Sequence, residues 1–195
     1  MSGSGPHIAG VLLAAGSGTR FGGHKLLAPW RDGTAVAVAA ARNLIDTLPD
    51  SIAVLRPGDE ILATLLAAEG LRIVVNPHAD DGMGGSLACG VAMADADGWV
   101  IALADMPAIR SETIAAVAAA LADGAALAAP VYRGQRGHPI GFARRFQATL
   151  TALTGDHGGR DILAAHASEL RLIEVDDPGV LVDIDHAGDL EVSVC

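Results

Sequence analysis

A glycine-rich segment with two cations inside it is the first pattern in this sequence that could do chemistry. It runs from Leu13 to Leu26 and reads LAAGSGTRFGGHKL. Small residues allow successive backbone N–H groups to turn toward one point, and Arg20 and Lys25 add positive charge there. The segment is not a P-loop, because Leu26 stands where a Ser or Thr should hold the metal, and its glycine spacing is not a dinucleotide fingerprint. It predicts a polyphosphate site, with a solvated connecting loop as the alternative.

Aspartates stand at two further places where they could hold a metal ion. Asp105 follows the apolar run 98–103, and Asp183 and Asp185 alternate with one apolar residue, so that their carboxylates point to one side of an extended segment. Carboxylates near a phosphate-binding loop are the ligands expected for a Mg²⁺ ion that bridges ligand oxygens. The alternatives are a turn cap at Asp105 and a solvated loop at the other two.

Isolated polar residues beside other glycines are weaker candidates. His138 stands between a glycine and a proline, which fix its backbone and leave its ring exposed, so that it could contact a ligand. Arg160 closes a second glycine-rich segment, and Asn76 and Ser86 flank a turn that opens a helix, where a base or a phosphate could be bound. An ordinary structural role is the alternative for each. No histidine spacing suits a zinc site.

Strand-like and helix-like segments alternate along the chain and must position these residues. Strands are predicted at 8–15, 51–55, 71–75 and 98–103, with helices at 34–48, 59–69, 84–93 and 111–122. In the second half we predict strands at 126–132, 139–142 and 170–175, helices at 144–153 and 161–166, and an extended segment at 180–185. This order predicts an α/β fold with a single-domain, doubly wound, mostly parallel sheet and a small β excursion in the second half. Ligands of such sheets bind beyond the carboxyl ends of the strands, where the glycine-rich segment and Asp105 fall.

Composition and charge narrow the classes of function. The 195 residues are 51% hydrophobic and 18% charged, which fits one domain over residues 8–195, with 1–7 as a flexible N-terminal lead-in. The 13 Lys and Arg against 23 Asp and Glu give a net charge of −10, which repels nucleic acids and anionic membranes. No apolar stretch reaches the roughly 18 residues of a membrane span, and two cysteines make no disulfide framework. We therefore expect a cytoplasmic protein that binds neither nucleic acid nor membrane.

The motifs, taken together, resemble those of a known enzyme family. They are Leu13-Ala14-Ala15-Gly16-x-Gly18-x-Arg20-Phe21-Gly22-x-x-Lys25, Gly82-Met83-Gly84-Gly85-Ser86-Leu87, Ala104-Asp105-Met106-Pro107, Arg136-Gly137-His138-Pro139, Gly155-Asp156-x-Gly158-Gly159-Arg160 and Val182-Asp183-Ile184-Asp185. On these the chain resembles the molybdopterin-guanylyltransferase-like (MobA-like) nucleotidyltransferases, and within them the molybdenum cofactor cytidylyltransferase branch, over residues 11–190. Arg56-Pro57-Gly58 departs from the Thr-Gly turn that many relatives have after the second strand.

The resemblance implies a nucleotide-diphospho-sugar transferase-like Rossmann variant that moves CMP from CTP to the terminal phosphate of molybdopterin or molybdenum cofactor and releases pyrophosphate. It implies Mg²⁺ as the cofactor, and a transient contact with a molybdoenzyme or its chaperone is compatible with it. The implied nucleotide-binding residues are Leu13, Ala14, Ala15, Gly16, Ser17, Gly18, Arg20, Lys25, Asn76 and Ser86. Arg20, Lys25 and Asp105 would be catalytic, Asp105 with Asp183 or Asp185 would hold the metal, and Gly137, His138 and Arg160 would bind the second substrate.

Three other interpretations remain open at the level of the sequence. The same chemistry could use GTP, another nucleotide or another acceptor. A non-catalytic carrier of finished molybdenum cofactor would not need the set of Arg20, Lys25, Asp105 and Asp183. An NAD(P) oxidoreductase could use Arg56 to bind a 2′-phosphate, but two cations inside the first glycine loop oppose it.

Overall fold

Eight strands in the described part of the chain pair into one mixed sheet. The computed structural model describes residues 5–16, 21, 24–156 and 158–191. Its strands are β1 (Ile8–Leu13), β2 (Ile52–Leu55), β3 (Arg72–Val75), β4 (Gly98–Leu103), β5 (Leu127–Tyr132), β6 (Gln135–Arg136), β7 (Ile140–Ala143) and β8 (Leu170–Glu174). The α-helices are α1 (Val36–Ile45), α2 (Glu60–Ala68), α3 (Met83–Met93), α4 (Ser111–Ala122), α5 (Gln147–Thr151) and α6 (Arg160–Ala165). The result confirms the predicted α/β sheet.

The strand order brings many strand ends to one edge of the sheet. The order is β3-β2-β1-β4-β7-β5-β6, and β8 pairs with β5. Strands β1 to β4 are mutually parallel, β7 runs antiparallel to both β4 and β5, and β8 runs parallel to β5. The carboxyl ends of β1 to β5 and β8 therefore meet at the edge where β7 begins. We call this the carboxyl edge.

Apolar layers cover both faces of the sheet, which explains the continuous apolar strands. Every residue of β1 is buried, and alternation along the strand places Leu12 in one layer and Val11 and Leu13 in the other. Helices α1, α2 and α4 pack in the first layer, and α3, α5 and α6 pack in the second. Among the described residues, no helix combines the length and the apolar character that a membrane span requires.

Helix α3 approaches the sheet closely because a glycine lies at the contact. A Cβ atom on Gly90 would lie 2.6 Å from Val11 Cγ1 and 3.0 Å from Val54 Cγ2. No side chain fits into this space without displacement of the helix. The C-terminal half of α3 is thereby packed directly on β1 and β2.

The second half of the chain differs from the sequence prediction in three places. The strand expected as part of a small excursion is β7, which lies inside the sheet between β4 and β5. The helix predicted at 144–153 is divided into a 3₁₀ turn, Arg144–Phe146, and α5. The segment predicted as extended from residue 180 begins in a 3₁₀ helix, Pro178–Leu181, because Pro178 occupies its first turn and Asp177 accepts a hydrogen bond from the Gly179 N–H.

The end of the predicted N-terminal lead-in is attached to the fold. The His7 backbone N–H donates to Asp97 Oδ2 at 3.0 Å, and the His7 carbonyl accepts from the Asp97 N–H at 2.7 Å. His7 Nε2 also lies 3.2 Å from Asp50 Oδ2. These contacts continue the alignment of β1 with β4 one residue before β1 begins.

Candidate active site

A cleft of about 330 Å³ opens at the carboxyl edge, beyond β1 and β4. It is lined by Leu13, Ala14, Ala15, Gly16, Lys25, Leu26, Arg56, Ala79, Asp80, Gly82, Met83, Ser86, Leu103, Asp105 and Asp156. We call it the first cleft. Seven of the residues predicted for the nucleotide or the metal line it, which is the placement expected for ligands of an open α/β sheet.

One ammonium group joins two aspartates at this cleft. Lys25 Nζ donates to Asp105 Oδ2 at 2.7 Å and to Asp185 Oδ1 at 3.1 Å. Lys25 comes from the 3₁₀ helix Lys25–Leu27, and Asp105 follows β4. The side chains of Lys25, Asp105 and Asp185 are 12%, 23% and 35% exposed, respectively. The structure therefore brings together three residues that are far apart in the sequence and that sequence reasoning had selected.

Backbone hydrogen bonds bring the chain near residue 185 to the end of β4. The Ile184 N–H donates to the Asp105 carbonyl at 2.9 Å, and the Ile184 side chain is fully buried. Asp189 Oδ2 accepts from the backbone N–H groups of Asp185 at 2.9 Å and His186 at 2.6 Å. Asp183 and Asp185 lie on either side of the buried isoleucine. Asp185 contacts Lys25, whereas Asp183 is exposed.

The two aspartates determine the protonation of Lys25. Partial burial acts to lower the pKa of Lys25, but hydrogen bonds and negative charge from Asp105 and Asp185 together outweigh burial and raise that pKa above its ordinary value. The ammonium form is therefore stabilised, and Lys25 keeps a fixed positive charge beside two carboxylates.

The donor set suits a hard cation that keeps water and substrate oxygens among its ligands. Asp105 and Asp185 supply carboxylate oxygens that already converge on one positive group. The described residues include no group of three or more His, Cys, Asp or Glu side chains that would enclose a metal ion. Mg²⁺ commonly takes one or two protein carboxylates and completes its shell with water and phosphate. The residues present therefore fit such an ion better than zinc, which needs three or four protein ligands.

Asn76 and Ser86 form a buried pair at the base of the first cleft. Asn76 Nδ2 donates to Ser86 Oγ at 3.0 Å, and Asn76 Oδ1 accepts from the His78 N–H at 3.0 Å. Ser86 lines the cleft, whereas Asn76 supports it from behind. In this structure, Asn76 positions the side chain of Ser86 at the lining of the cleft.

A second cleft, of about 460 Å³, adjoins the first. It is lined by Leu13, Met83, Leu87, Ile101, Leu103, Arg136, Gly137, His138, Ile140, Phe142, Asp156, Gly158, Gly159, Arg160, Asp161 and Leu163. The two clefts share Leu13, Met83, Leu103 and Asp156. All three residues predicted for a second substrate, Gly137, His138 and Arg160, lie in this second cleft. Its buried lining residues are apolar apart from a glycine and form its floor, whereas its charged residues, Arg136, Asp156, Arg160 and Asp161, are exposed at its sides.

His138 is half-buried in the second cleft, whereas its position between a glycine and a proline predicted an exposed ring. Its backbone N–H donates to the Val180 carbonyl at 3.0 Å, and its ring atom Nδ1 has no hydrogen-bond partner among the described residues. Burial lowers the pKa of the imidazole; nearby Asp105 and Asp183 oppose this shift, Arg136 adds to it, and the pKa remains below its ordinary value. The ring is therefore neutral at pH 7.

Two glycine-rich turns meet to form the wall between the clefts. Gly82 has φ of +122°, and a Cβ atom there would lie 2.4 Å from the Gly155 carbonyl carbon. The Gly84 N–H donates to the Gly155 carbonyl at 2.8 Å. This contact places Met83 and Asp156 on both clefts. Sequence reasoning did not select these two residues for the site, although the motifs that contain them were visible.

Three of the predicted nucleotide-binding residues, Ser17, Gly18 and Arg20, lie outside the described residues. Arg56 and Asp80 line the first cleft, and sequence reasoning had not placed them in a nucleotidyltransferase site. Arg56 was considered only as a contact to a dinucleotide, and no spacing in the sequence connects it to Asp80.

The comparisons with known proteins agree with this geometry. The chain matches the MobA-like NTP transferase domain over residues 10–170. It is 30% identical to nicotine blue oxidoreductase of Paenarthrobacter nicotinovorans, over 92% of this chain and 93% of that protein. It is 28% identical to the purine catabolism protein PucB of Bacillus subtilis (strain 168), over 92% of each.

A solved structure extends the similarity to three dimensions. The crystal structure of Rv0371c from Mycobacterium tuberculosis H37Rv is 27% identical, with a TM-score of 0.82 over 95% of this chain and 96% of that one. A complex of the same mycobacterial protein with manganese gives a TM-score of 0.80 over 94% and 95%. The matched domain spans β1 to the start of β8 and includes both clefts. The chain therefore belongs to the MobA-like NTP transferase family, and this family model places it among the nucleotidyltransferases.

Proposed function

We propose that this nucleotidyltransferase moves CMP from CTP to the terminal phosphate of a molybdopterin-type cofactor. The observation that carries the proposal is the pair of adjoining clefts with the Lys25, Asp105 and Asp185 cluster in the first. A transferase must hold two substrates side by side with charge neutralisation where they meet. The preference for CTP and a molybdopterin-type acceptor is supported by the motifs around Ala14-Ala15-Gly16 and Gly82-Met83.

The reaction is an in-line exchange at one phosphorus atom. An oxygen of the acceptor's terminal phosphate forms a new bond to the α-phosphorus of CTP, and the bond from that phosphorus to the α,β-bridging oxygen breaks. The electron pair leaves with pyrophosphate. This chain needs to supply position and positive charge, because phosphoryl-type transfer requires little covalent chemistry from the protein.

Each described residue of the first cleft has a role in that exchange. Lys25 would bind the triphosphate and stabilise the negative charge of the departing pyrophosphate. Ser86 and the backbone of the segment that follows β1 would position the nucleotide. Asp105 and Asp185 would hold Mg²⁺, which when bound neutralises phosphate charge; Asp185 is favoured over Asp183 because it shares the ammonium of Lys25 with Asp105. The manganese complex of the mycobacterial relative supports a divalent metal in this family.

The second cleft would bind the acceptor. Arg136 and Arg160 bring positive charge to its sides, and its apolar floor suits a flat ring system. The half-buried, neutral ring of His138 would contact that ligand from the side nearest Asp105. In this arrangement, the acceptor phosphate reaches the first cleft across the shared residues Leu103 and Met83.

Pyrophosphate release tests the proposal directly. Pyrophosphate release by the purified protein, with Mg²⁺ and a molybdopterin-type cofactor, is measured in parallel with CTP, GTP and ATP. We expect release with CTP well above the other two nucleotides. A preference for GTP would contradict the cytidylyl assignment and retain the chemistry, and no release with any nucleotide despite cofactor binding would favour a carrier. Because one relative is named an oxidoreductase, NADH and NADPH oxidation is followed as a separate arm.

Asp105→Asn tests the first cleft within the same assay. The substitution keeps the size of the side chain but removes the charge, and we expect kcat to fall by about 10²- to 10³-fold. Asp123→Asn is the matched control, because Asp123 is exposed after α4 at the opposite edge of the sheet. Thermal melting confirms that both variants fold. Pyrophosphate release by Asp105→Asn at the parent rate would contradict the role of Asp105.

A further inference from the structure

Arg56 is a cation of the first cleft to which the proposed reaction assigns no role. It follows β2 at the carboxyl edge, and it lines the first cleft together with Gly16 and Lys25. The same three residues also line a neighbouring cavity of about 350 Å³. Arg56 therefore lies on a shared wall beside Lys25 and the start of the glycine-rich segment, where a polyphosphate is expected.

The partner of Arg56 is held only weakly. Arg56 Nη2 donates to Asp80 Oδ1, which lies in the 3₁₀ turn Ala79–Asp81. The Arg56 side chain is 25% exposed, but that of Asp80 is 82% exposed. Ion pairs with a partner so open to water contribute little to stability, because water screens the attraction and the side chains lose freedom. Asp80 can therefore leave Arg56 with little loss.

Lys25 gives the contrast within the same cleft. Its side chain is 12% exposed, and its ammonium group is bound by two carboxylates that are themselves partly covered. Of these two cations in the described lining, Arg56 has the partner that is easier to replace. A guanidinium group also presents parallel N–H donors that match two oxygens of one phosphate, which makes a phosphate a better partner than an exposed carboxylate.

We propose that Arg56 binds a phosphate group of the nucleotide by exchanging Asp80 for it, and that Asp80 is an internal competitor for this site. The inference rests on the proposed function in one respect, namely that the first cleft holds a nucleoside triphosphate. It makes Arg56 a residue that distinguishes phosphorylated from unphosphorylated nucleosides. It makes Asp80 a residue that weakens nucleotide binding and thereby assists product release.

Direct binding measurements separate this inference from the transfer reaction. CTP and cytidine are titrated by ligand-observed NMR at fixed Mg²⁺ and ionic strength, without an acceptor. Arg56→Ala is expected to weaken CTP binding by about 10- to 100-fold, the usual effect of losing a charge-assisted contact, and to leave cytidine binding unchanged. Arg72→Ala is the matched control, because Arg72 begins β3 at the opposite edge.

Asp80→Asn tests the competitor role. It is expected to tighten CTP binding by about two- to fivefold, in keeping with the small contribution of an exposed ion pair. The gain is expected to disappear in the double variant with Arg56→Ala, since Asp80 acts through Arg56. Asp81→Asn is the control, because Asp81 is a neighbouring exposed carboxylate outside the lining of the first cleft.

The outcomes are distinguishable. Equal weakening of CTP and cytidine in Arg56→Ala would place Arg56 against the base or the sugar and overturn the phosphate assignment. An equal gain from Asp80→Asn with and without Arg56 would overturn the competitor role and indicate a general effect of charge. Parent protein that binds neither CTP nor cytidine would overturn the proposed function itself, together with this inference.

Discussion

The two clefts at the carboxyl edge are built differently. The first lies over parallel strands, and its central charges, Lys25, Asp105 and Asp185, satisfy one another before any ligand binds. The second lies beside the antiparallel strand β7, with an apolar floor and with the His138 ring atom Nδ1 buried without a partner among the described residues. The first cleft therefore offers charged groups to a ligand, whereas the second offers mainly an apolar surface. This difference suits an enzyme that neutralises phosphate in one place and selects an acceptor in the other.

Substitution of Lys25 should separate the roles of the two clefts most clearly. Lys25→Met removes one of the two positive charges in the described lining of the first cleft and leaves Asp105 and Asp185 without that ammonium between them. We expect kcat for pyrophosphate release to fall by about 10²-fold or more, while acceptor binding in the second cleft changes little. Stopped assays and an acceptor titration measure the two quantities. A similar loss in both would show that the clefts act as one site.

Gly159→Ala should disturb the second cleft alone, with an intermediate effect. A Cβ atom there would lie 2.6 Å from Phe142 Cζ, and the backbone is helical, so the cost is steric and not conformational. We expect the free energy of unfolding to fall by about 1–3 kcal/mol and acceptor KM to rise, with CTP binding unchanged. Chemical denaturation and kinetics measure both effects.

The neighbouring glycine provides the control for this prediction. A Cβ atom on Gly158 would make only an ordinary contact, 3.8 Å from Met83 Sδ. Gly158→Ala should therefore keep the parent's free energy of unfolding. Equal destabilisation by the two substitutions would indicate a general sensitivity of this loop and would remove the specific role of the Phe142 contact.

The smallest expected effect concerns the pH dependence of stability at His138. Burial holds the pKa of His138 below its ordinary value in the folded protein. The negative charges of Asp105 and Asp183 oppose this shift, and the positive charge of Arg136 adds to it. On unfolding, the pKa returns to its ordinary value. Between those two pKa values the unfolded chain binds more protons, so this residue's contribution is complete above about pH 6.5 and is lost as the pH falls through the folded pKa.

His138→Gln should remove that contribution. We expect the variant to lose less stability than the parent between pH 7.5 and pH 5, as measured by urea unfolding at each pH. Substitution of exposed His78 by Gln is the control, because His78 lies outside both clefts. Identical pH profiles for the parent and His138→Gln would show that the ring is not held neutral by burial.

The first cleft could be predicted from the sequence far better than the second. Continuous apolar runs gave β1 to β4 with small errors at their ends, because strands covered on both faces need apolar residues throughout. The carboxyl ends of parallel strands must meet, so Lys25 and Asp105 could be expected near each other. That Asp185 and not Asp183 contacts the same ammonium could not be predicted, since the choice depends on a 3₁₀ turn and on the burial of Ile184.

The second cleft depends on contacts that leave little trace in local sequence. Strand β7 is four residues long, and nothing in Ile140–Ala143 states that it inserts between β4 and β5. Asp156 reaches both clefts because Gly82 and Gly155 approach closely, which is a tertiary contact between two turns about 70 residues apart. Arg56 and Asp80 were overlooked for a similar reason, since their pairing joins two loops after different strands.

The position of Lys25 also gives the protein a chemical handle. It is the only lysine among the 195 residues, so the first cleft contains the only side-chain primary amine of the chain. Acylating reagents attack the neutral amine, and the raised pKa of Lys25 keeps that form scarce while both carboxylates remain in contact. A ligand or metal ion that draws the carboxylates away would change the rate of acylation at this one site. Mass spectrometry of the acylated peptide would therefore report occupancy of the cleft without an introduced label.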